Sequence, residues 1–288
     1  MKNFLLATRP KTLLAGVIPP VVAYAYSLTT TKNDAVLYLV LAVLGALFIQ
    51  IATNFFNDVI DFEKGADAKR VGPTRVSAAG LVDIRTVRVW AYSCVAIAGL
   101  CGIPLIIRGG WPFLVLGLIS LYLTYGYTGG KVSLAYRGLG ELFVFLFFGL
   151  FSVMGSYYLF TLKLDLGAFF LATIFGLMAT TFIAVNNLRD RITDMEVGKR
   201  TMATRFSERA YQYFTVGTIF APYLILHYFQ DFKMIYWVFL GMIPALKLTL
   251  IIFKNKGADL NEGLKFSGIH LVVLSIILSL VFIYESSL

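Results

Sequence analysis

The chain has 288 residues, of which 58% are hydrophobic and 14% charged, and its mean hydropathy is +0.78. This composition is too apolar for an ordinary soluble domain, so we exclude that class. The net charge of +9 would suit a nucleic-acid partner. The basic residues flank apolar runs instead of gathering in one polar segment, however, and we therefore expect no nucleic-acid partner.

Nine apolar runs follow one another along the chain, and each is long enough to cross a ~30 Å hydrocarbon core as a helix. The first imitates a secretory signal, but it contains Pro19-Pro20, and we interpret it as a retained span. We predict a single all-α transmembrane domain over residues 1–288, a polytopic bundle of about nine helices with pseudo-repeated halves. The runs cover residues 12–29, 36–56, 88–107, 112–128, 139–161, 166–186, 211–229, 234–253 and 267–284.

Most of the basic residues fall on one side of this predicted bundle. With a cytoplasmic amino terminus, 20 of the 25 Lys and Arg residues fall in cytoplasmic segments. The positive-inside rule therefore places the first residue of this predicted membrane protein in the cytoplasm. We expect the membrane to be a bacterial-type inner (plasma) membrane.

Two Asn/Asp-rich segments follow the second and sixth spans, and we place them in cytoplasmic loops over residues 54–88 and 186–210. Asn57 and Asp61 are four residues apart in the first segment, and Asn186, Asp190 and Asp194 repeat this step in the second. On a helix, each set would project from one face. The polar residues of the two segments that we consider as ligands are Asn54, Asn57, Asp58, Asp61, Asp67, Asn187, Asp190 and Asp194.

Clustered carboxylates repel one another, and they persist when a cation or ligand compensates their charge. Hard oxygen ligands favour Mg²⁺, which commonly combines one or two carboxylates with substrate phosphates. Any single residue has a simpler interpretation, namely a solvated acid beside a basic residue of a cytoplasmic flank. That interpretation does not account for two matching sets. We therefore predict that the two segments clamp a metal-bound diphosphate, through two Mg²⁺ ions, at the cytoplasmic face.

Basic residues follow each acidic segment, and guanidinium groups suit phosphate oxygens. A third polar stretch between the fourth and fifth spans adds Lys131 and Arg137, and there Tyr127 and Lys131 share a helical face. The candidate phosphate-binding residues outside this stretch are Arg70, Arg75, Lys199 and Arg200.

At these residues the sequence resembles the UbiA superfamily of intramembrane prenyltransferases. The run from Asn57 through Asp61 to Asp67, followed by Arg75, and the run from Asn186 through Asp190 and Asp194 to Arg200 look like its menaquinone-pathway branch. The resemblance implies that a polyprenyl diphosphate loses diphosphate with the help of Mg²⁺ and that its allylic carbon is attacked by 1,4-dihydroxy-2-naphthoate, with loss of CO₂.

The resemblance also implies roles for individual residues. Asp61 and Asp190 would be central to catalysis with Lys131, Tyr127 would face the reacting allylic carbon, and Arg9 would attract the acidic acceptor. The stretch 129–135 lacks the proline expected before the tyrosine of the aromatic site. Other acceptors, such as 4-hydroxybenzoate or homogentisate, therefore remain alternatives. A cation-coupled transporter is a further alternative, although its acids should lie at mid-span.

Overall fold

The computed structural model describes residues 2–31, 35–65, 74–130 and 133–288, and the regular secondary structure within these ranges is helical. Single helical turns and short 3₁₀ segments, including Leu134–Tyr136 and Ile235–Gly241, connect the longer helices. The longer helices are α1 Lys2–Thr8, α2 Pro10–Ser27, α3 Val36–Glu63, α4 Ile84–Gly109, α5 Trp111–Gly126, α6 Gly140–Thr161, α7 Leu166–Glu196, α8 Glu208–Ile225, α9 Met242–Lys254 and α10 Asn261–Ser286.

These helices form a polytopic membrane bundle. Six helical segments of the described chain are long and apolar enough to cross a membrane, and α5 is a shorter apolar helix. Each of the nine apolar runs coincides with a helix from α2 to α10, so the predicted all-α class is confirmed. The chain is an integral membrane protein.

The helices pack as two groups that meet around α2 and α6. In one group α3 packs against α4 and α5, and in the other α7 packs against α8 and α10. Helix α2 contacts both α3 and α10, while the central part of α6 packs along α7. The two long helices α3 and α7 thus lie in different halves of the bundle, with a space between them.

Local sequence explains where several helices begin. Asp165 accepts a hydrogen bond from the Ala168 amide at the start of α7, and Ser207 accepts one from Ala210 at the start of α8. Such caps satisfy amide groups that have no partner inside the helix. Helix α6 contains a π-helical segment, Phe145–Met154, where Gly149 lies directly against Gly176 of α7. These caps and the close glycine contact fix α7 relative to its neighbours.

The prediction that loops begin at residues 54 and 186 is wrong, because both motif segments begin inside a helix. Helix α3 continues to Glu63 and α7 continues to Glu196. With 28 and 31 residues, these helices are about 42 and 46 Å long at 1.5 Å per residue, longer than a ~30 Å hydrocarbon core. The apolar run marks where a helix leaves the lipid, not where the helix ends, so the motif residues up to Glu63 and up to Glu196 occupy the final turns.

Candidate active site between α3 and α7

A cavity of about 510 Å³ lies between the two halves of the bundle. Its volume is in the range of ordinary small-molecule sites. Away from the polar end, small and aromatic side chains line the cavity, among them Gly45, Gly99, Gly117, Phe147 and Phe151. The polar residues that line it include Arg9, Asn57, Asp61, Arg75, Tyr127, Glu141, Asn186, Asn187, Asp190, Asp194 and Lys199.

The first motif contributes Asn57 and Asp61 from the last two turns of α3. The Arg75 guanidinium lies 2.6 Å from the Asp61 carboxylate, and both side chains are largely buried, with 7% and 11% exposed. Arg75 also donates to the main-chain carbonyl of Asn57, and the Asn57 side-chain oxygen accepts a hydrogen bond from the Thr128 hydroxyl. Arg75, which follows α3 in the chain, therefore supplies the counter-charge of the motif.

Two other residues of the first motif support the site from behind. Both carboxylate oxygens of buried Asp58 accept main-chain hydrogen bonds, from Val76 at 3.1 Å and from Ser77 at 2.9 Å. The buried Asn54 amide donates to the Thr8 carbonyl at 2.8 Å and to the Thr12 hydroxyl at 3.0 Å. Neither residue lines the cavity. Asp58 fixes the turn next to Arg75, and Asn54 fixes the junction of α1 and α2.

The second motif places Asp190 against Arg189, whose side chain is 1% exposed. The guanidinium donates to both oxygens of Asp190, at 2.7 and 2.6 Å, to the Asn186 side-chain oxygen at 2.9 Å and to Asn261 of α10 at 3.0 Å. Such two-point pairing is the strong form of an ion pair. Asp190 is therefore held in place by a charge from its own helix.

Tyr136, in the 3₁₀ segment before α6, connects the two motifs. Its hydroxyl donates to Asp61 at 3.1 Å, and the Lys64 and Lys199 ammonium groups lie 4.1 and 5.5 Å from its ring centroid. Lys199 in turn lies 3.3 Å from the Asp194 carboxylate. Burial raises the pKa of Tyr136, and the Asp61 charge raises it further, so the hydroxyl keeps its proton and acts as a donor.

Lys64 lies next to Tyr136 at the polar end of the site. Its ammonium group donates to the Thr128 carbonyl at 2.6 Å. Burial lowers the pKa of Lys64, Asp61 opposes this change and the Lys199 charge reinforces it. The charge of Lys64 thus acts on both Asp61 and Lys199, which belong to the two ion pairs on either side of Tyr136.

Asn187 meets a buried carboxylate that lies outside the two motifs. Its amide donates to Oε1 of Glu141 at 2.9 Å, and the Tyr211 hydroxyl of α8 donates to the same oxygen. Glu141 is in the first turn of α6, where a negative charge is favoured by the helix dipole. This contact joins α6, α7 and α8 at the wall of the cavity.

The remaining predicted site residues divide into three groups. Arg9 and Tyr127 line the cavity, and the Tyr127 hydroxyl lies over Gly140, where a Cβ atom would be only 2.9 Å from it. Arg137 and Arg200 are exposed and do not line the cavity. The predicted residues that lie outside the described ranges are Asp67, Arg70 and Lys131.

Several residues that take part in this arrangement, Lys64 among them, have no role that the sequence predicts. Arg189 and Glu141 lie inside segments that carry the family resemblance, so their charge in an apolar setting was the available signal. Tyr136 and Thr128 are in the polar stretch between the fourth and fifth spans. Nothing in their spacing indicates contact with Asn57 or Asp61.

The chemistry of the cavity fits a divalent metal shared with a phosphorylated substrate. The described residues contain no group of three or more His, Cys, Asp or Glu side chains arranged to hold a metal by themselves. Asp194 is buried, and its Oδ2 atom has no hydrogen-bond partner among the described residues. A few hard oxygen atoms with one open position suit Mg²⁺, which takes its other ligands from water and substrate phosphates.

The comparisons with known proteins agree with this geometry. Residues 17–283 match the model of the UbiA prenyltransferase family. The chain belongs to this family. It is 33% identical over 200 residues to a 1,4-dihydroxy-2-naphthoate octaprenyltransferase of Mycobacterium tuberculosis, a match that covers 69% of this chain and 68% of that one. It is 32% identical over 248 residues to the Escherichia coli protein of the same name, covering 83% and 80% of the two chains.

Solved UbiA homologues have the same fold. A homologue from Aeropyrum pernix aligns with a TM-score of 0.71 and 12% identity over 96% of this chain and 98% of the other. A homologue from Archaeoglobus fulgidus bound to GPP and Mg²⁺ aligns with a TM-score of 0.68 and 14% identity over 96% and 99%. These likenesses extend over nearly the whole bundle, so the UbiA fold covers both motif helices.

Proposed function

We propose that this chain transfers a polyprenyl group from polyprenyl diphosphate to 1,4-dihydroxy-2-naphthoate, with release of diphosphate and CO₂, as a step of menaquinone biosynthesis. The observation that carries the proposal is the meeting of both Asn/Asp motifs at one polar end of an otherwise apolar cavity. The names of the bacterial relatives support the naphthoate acceptor. We treat the chain as one prenyltransferase domain whose two halves share this site.

The charges of the cavity suit a diphosphate. Asp61, Asp190 and Asp194 are each paired with a basic side chain, namely Arg75, Arg189 and Lys199 respectively. Arg75 and Lys199 lie on segments that follow the motif helices, so they can turn from a carboxylate to a phosphate oxygen without moving a helix. The resting ion pairs thus hold phosphate-binding cations in place before the substrate arrives.

A divalent metal fits among Asn57, Asp61, Asp190 and Asp194, and the GPP- and Mg²⁺-bound homologue supports this cofactor. The metal supplies positive charge that stabilises the leaving diphosphate. Two ions, one for each motif, match the two sets of ligands. Asn54 and Asp58 hold neighbouring main chain, so their part is to position Arg9 and Arg75.

The remaining residues serve the two organic groups. Tyr127 presents an aromatic side chain next to the polar end, where it can stabilise positive charge at the allylic carbon. Arg9 offers a guanidinium group for the acceptor's carboxylate. The prenyl chain lies along the apolar part of the cavity, beside Gly99, Gly117 and Phe147.

The orientation of the protein follows from the positive-inside rule. The amino terminus and the carboxyl-terminal ends of α3 and α7 lie on the cytoplasmic side, so the polar end of the cavity receives water-soluble acceptor and metal. The acids occupy the final turns of these helices. That position favours a diphosphate site over a mid-membrane ion path.

The proposal is tested with the purified protein, a polyprenyl diphosphate, 1,4-dihydroxy-2-naphthoate and Mg²⁺. We expect prenylated naphthoquinol and CO₂ in equal amounts, abolished by EDTA and restored by excess Mg²⁺. Turnover with 4-hydroxybenzoate or homogentisate but not with the naphthoate would support prenyl transfer and contradict the naphthoate as the acceptor. Turnover that persists in EDTA would contradict the metal assignment.

A further inference from the structure

Glu141 is a buried acid that the diphosphate chemistry leaves unused. It lines the cavity, and only 3% of the residue is exposed. One oxygen, Oε1, accepts hydrogen bonds from Asn187 and Tyr211, whereas Oε2 has no hydrogen-bond partner among the described residues. A buried carboxylate oxygen without a hydrogen-bond partner costs free energy, because it loses its water and gains no donor in exchange.

Glu141 lies near the residues proposed to bind both the diphosphate and the allylic carbon. Asn187 is on the motif helix α7, and Gly140, the neighbour of Glu141, lies beneath the Tyr127 hydroxyl. Glu141 therefore lies between the second motif and the tyrosine expected at the allylic carbon. A ring that attacks this carbon has to lie in the same region.

We propose that Oε2 of Glu141 accepts a hydrogen bond from a ring hydroxyl of the aromatic acceptor and thereby selects and orients a hydroxylated ring for attack. This inference rests on the proposed prenyl transfer and adds a specificity residue to it. Asn187 and Tyr211 both donate to Oε1, so the carboxylate is held in one orientation and its other oxygen remains for a donor from the substrate. No arginine or lysine has to move for this contact.

The substitution Glu141→Gln tests the contact with little change of shape. Asn187 and Tyr211 still need an acceptor, so the Gln side-chain oxygen takes the place of Oε1 and its NH₂ group takes the place of Oε2. The variant thus presents a donor where the wild type presents an acceptor. We compare the hydroquinone acceptor with the corresponding quinone, 1,4-naphthoquinone-2-carboxylate, which has carbonyl oxygens in place of both hydroxyl groups.

For Glu141→Gln we expect the KM for the dihydroxynaphthoate to rise about 10- to 100-fold, the effect of losing a hydrogen bond to a charged group. Inhibition by the quinone should become stronger, so the preference between the two rings reverses. The KM for polyprenyl diphosphate should stay within about twofold of wild type. The control Tyr211→Phe removes a donor to Oε1 but leaves Oε2 unchanged, so it should lower thermal stability and keep the wild-type preference.

An unchanged preference in a folded Glu141→Gln protein would overturn the proposal, because an oxygen satisfied by water alone would not distinguish the rings. An equal rise in the KM for the dihydroxynaphthoate and in the KM for polyprenyl diphosphate would also overturn the proposal, since a purely structural residue would give that result. Failure of prenyl transfer is seen separately, as an absence of product with the wild-type protein. Quinone and hydroquinone binding to wild type and variant, measured by calorimetry, still decides the role of Glu141 in that case.

Discussion

Arg75 and Asp61 form a buried ion pair of 2.6 Å, although they belong to different elements separated by the end of α3. Asp61 also accepts from the Tyr136 hydroxyl, and Arg75 also donates to the Asn57 carbonyl. The pair therefore joins the first motif to the segment that follows it. When the metal and the diphosphate bind, Arg75 and Asp61 have to exchange partners, because the metal needs the carboxylate and the phosphate needs the guanidinium group.

Removing one partner of this pair should destabilise the protein. Arg75→Met leaves the Asp61 carboxylate buried without its main counter-charge, at a cost of about 3–5 kcal/mol. Adding Asp61→Asn to Arg75→Met should restore most of the lost stability, since no charge remains uncompensated, while activity stays absent. Thermal unfolding of the two single variants and the double variant in detergent measures the coupling. Strictly additive losses would contradict a direct interaction.

Tyr136 should act through both its hydroxyl and its ring. Tyr136→Phe loses the hydrogen bond to Asp61, worth roughly 1.5–3 kcal/mol to a charged group, and should reduce kcat/KM about tenfold. Tyr136→Leu also removes the ring beside Lys64 and Lys199, so its loss should be larger. Steady-state kinetics with varied polyprenyl diphosphate measures both, with exposed Tyr236→Phe as the control. Equal activity of the Phe and Leu variants would contradict a role for the ring, and wild-type activity of the Phe variant would contradict a role for the hydroxyl.

Asn54 should prove to be a supporting residue and not a metal ligand. Its amide group is already used by Thr8 and Thr12, and it does not line the cavity. Asn54→Ala should lower the free energy of unfolding by about 1–3 kcal/mol. The Mg²⁺ concentration for half-maximal activity should remain that of wild type. A large rise in this concentration, without loss of stability, would instead identify Asn54 as a ligand.

The sequence predicted an all-α membrane bundle with a helix at each apolar run, because such runs report directly on the lipid that surrounds them. It misplaced the ends of α3 and α7, since a helix can continue into water when ion pairs compensate its polar residues. The four-residue steps from Asn57 to Asp61 and from Asp190 to Asp194 correctly grouped side chains that line the cavity. Those steps describe one helix at a time, so they are informative only about residues on the same face.

Spacing patterns within one helix do not predict contacts between different elements. Tyr136 meets Asp61 across 75 positions, and Glu141 meets Tyr211 across 70. Asp58 has the composition of a ligand, yet its direction on α3 turns it toward the amides of Val76 and Ser77. Only the packing of α3 against its neighbours distinguishes this supporting position from that of Asp61.

The central claim is that α3 and α7 together build one metal-dependent diphosphate site. It is tested most directly by Mg²⁺-dependent binding of a non-reactive polyprenyl diphosphate analogue, measured by calorimetry on wild type, Asp61→Asn and Asp190→Asn, with exposed Asp231→Asn as the control. We expect both motif variants to remain folded and to lose at least about tenfold in affinity, the effect of about 1.4 kcal/mol, while the control binds like wild type. Wild-type, Mg²⁺-dependent affinity in either motif variant would contradict a site shared by the two helices.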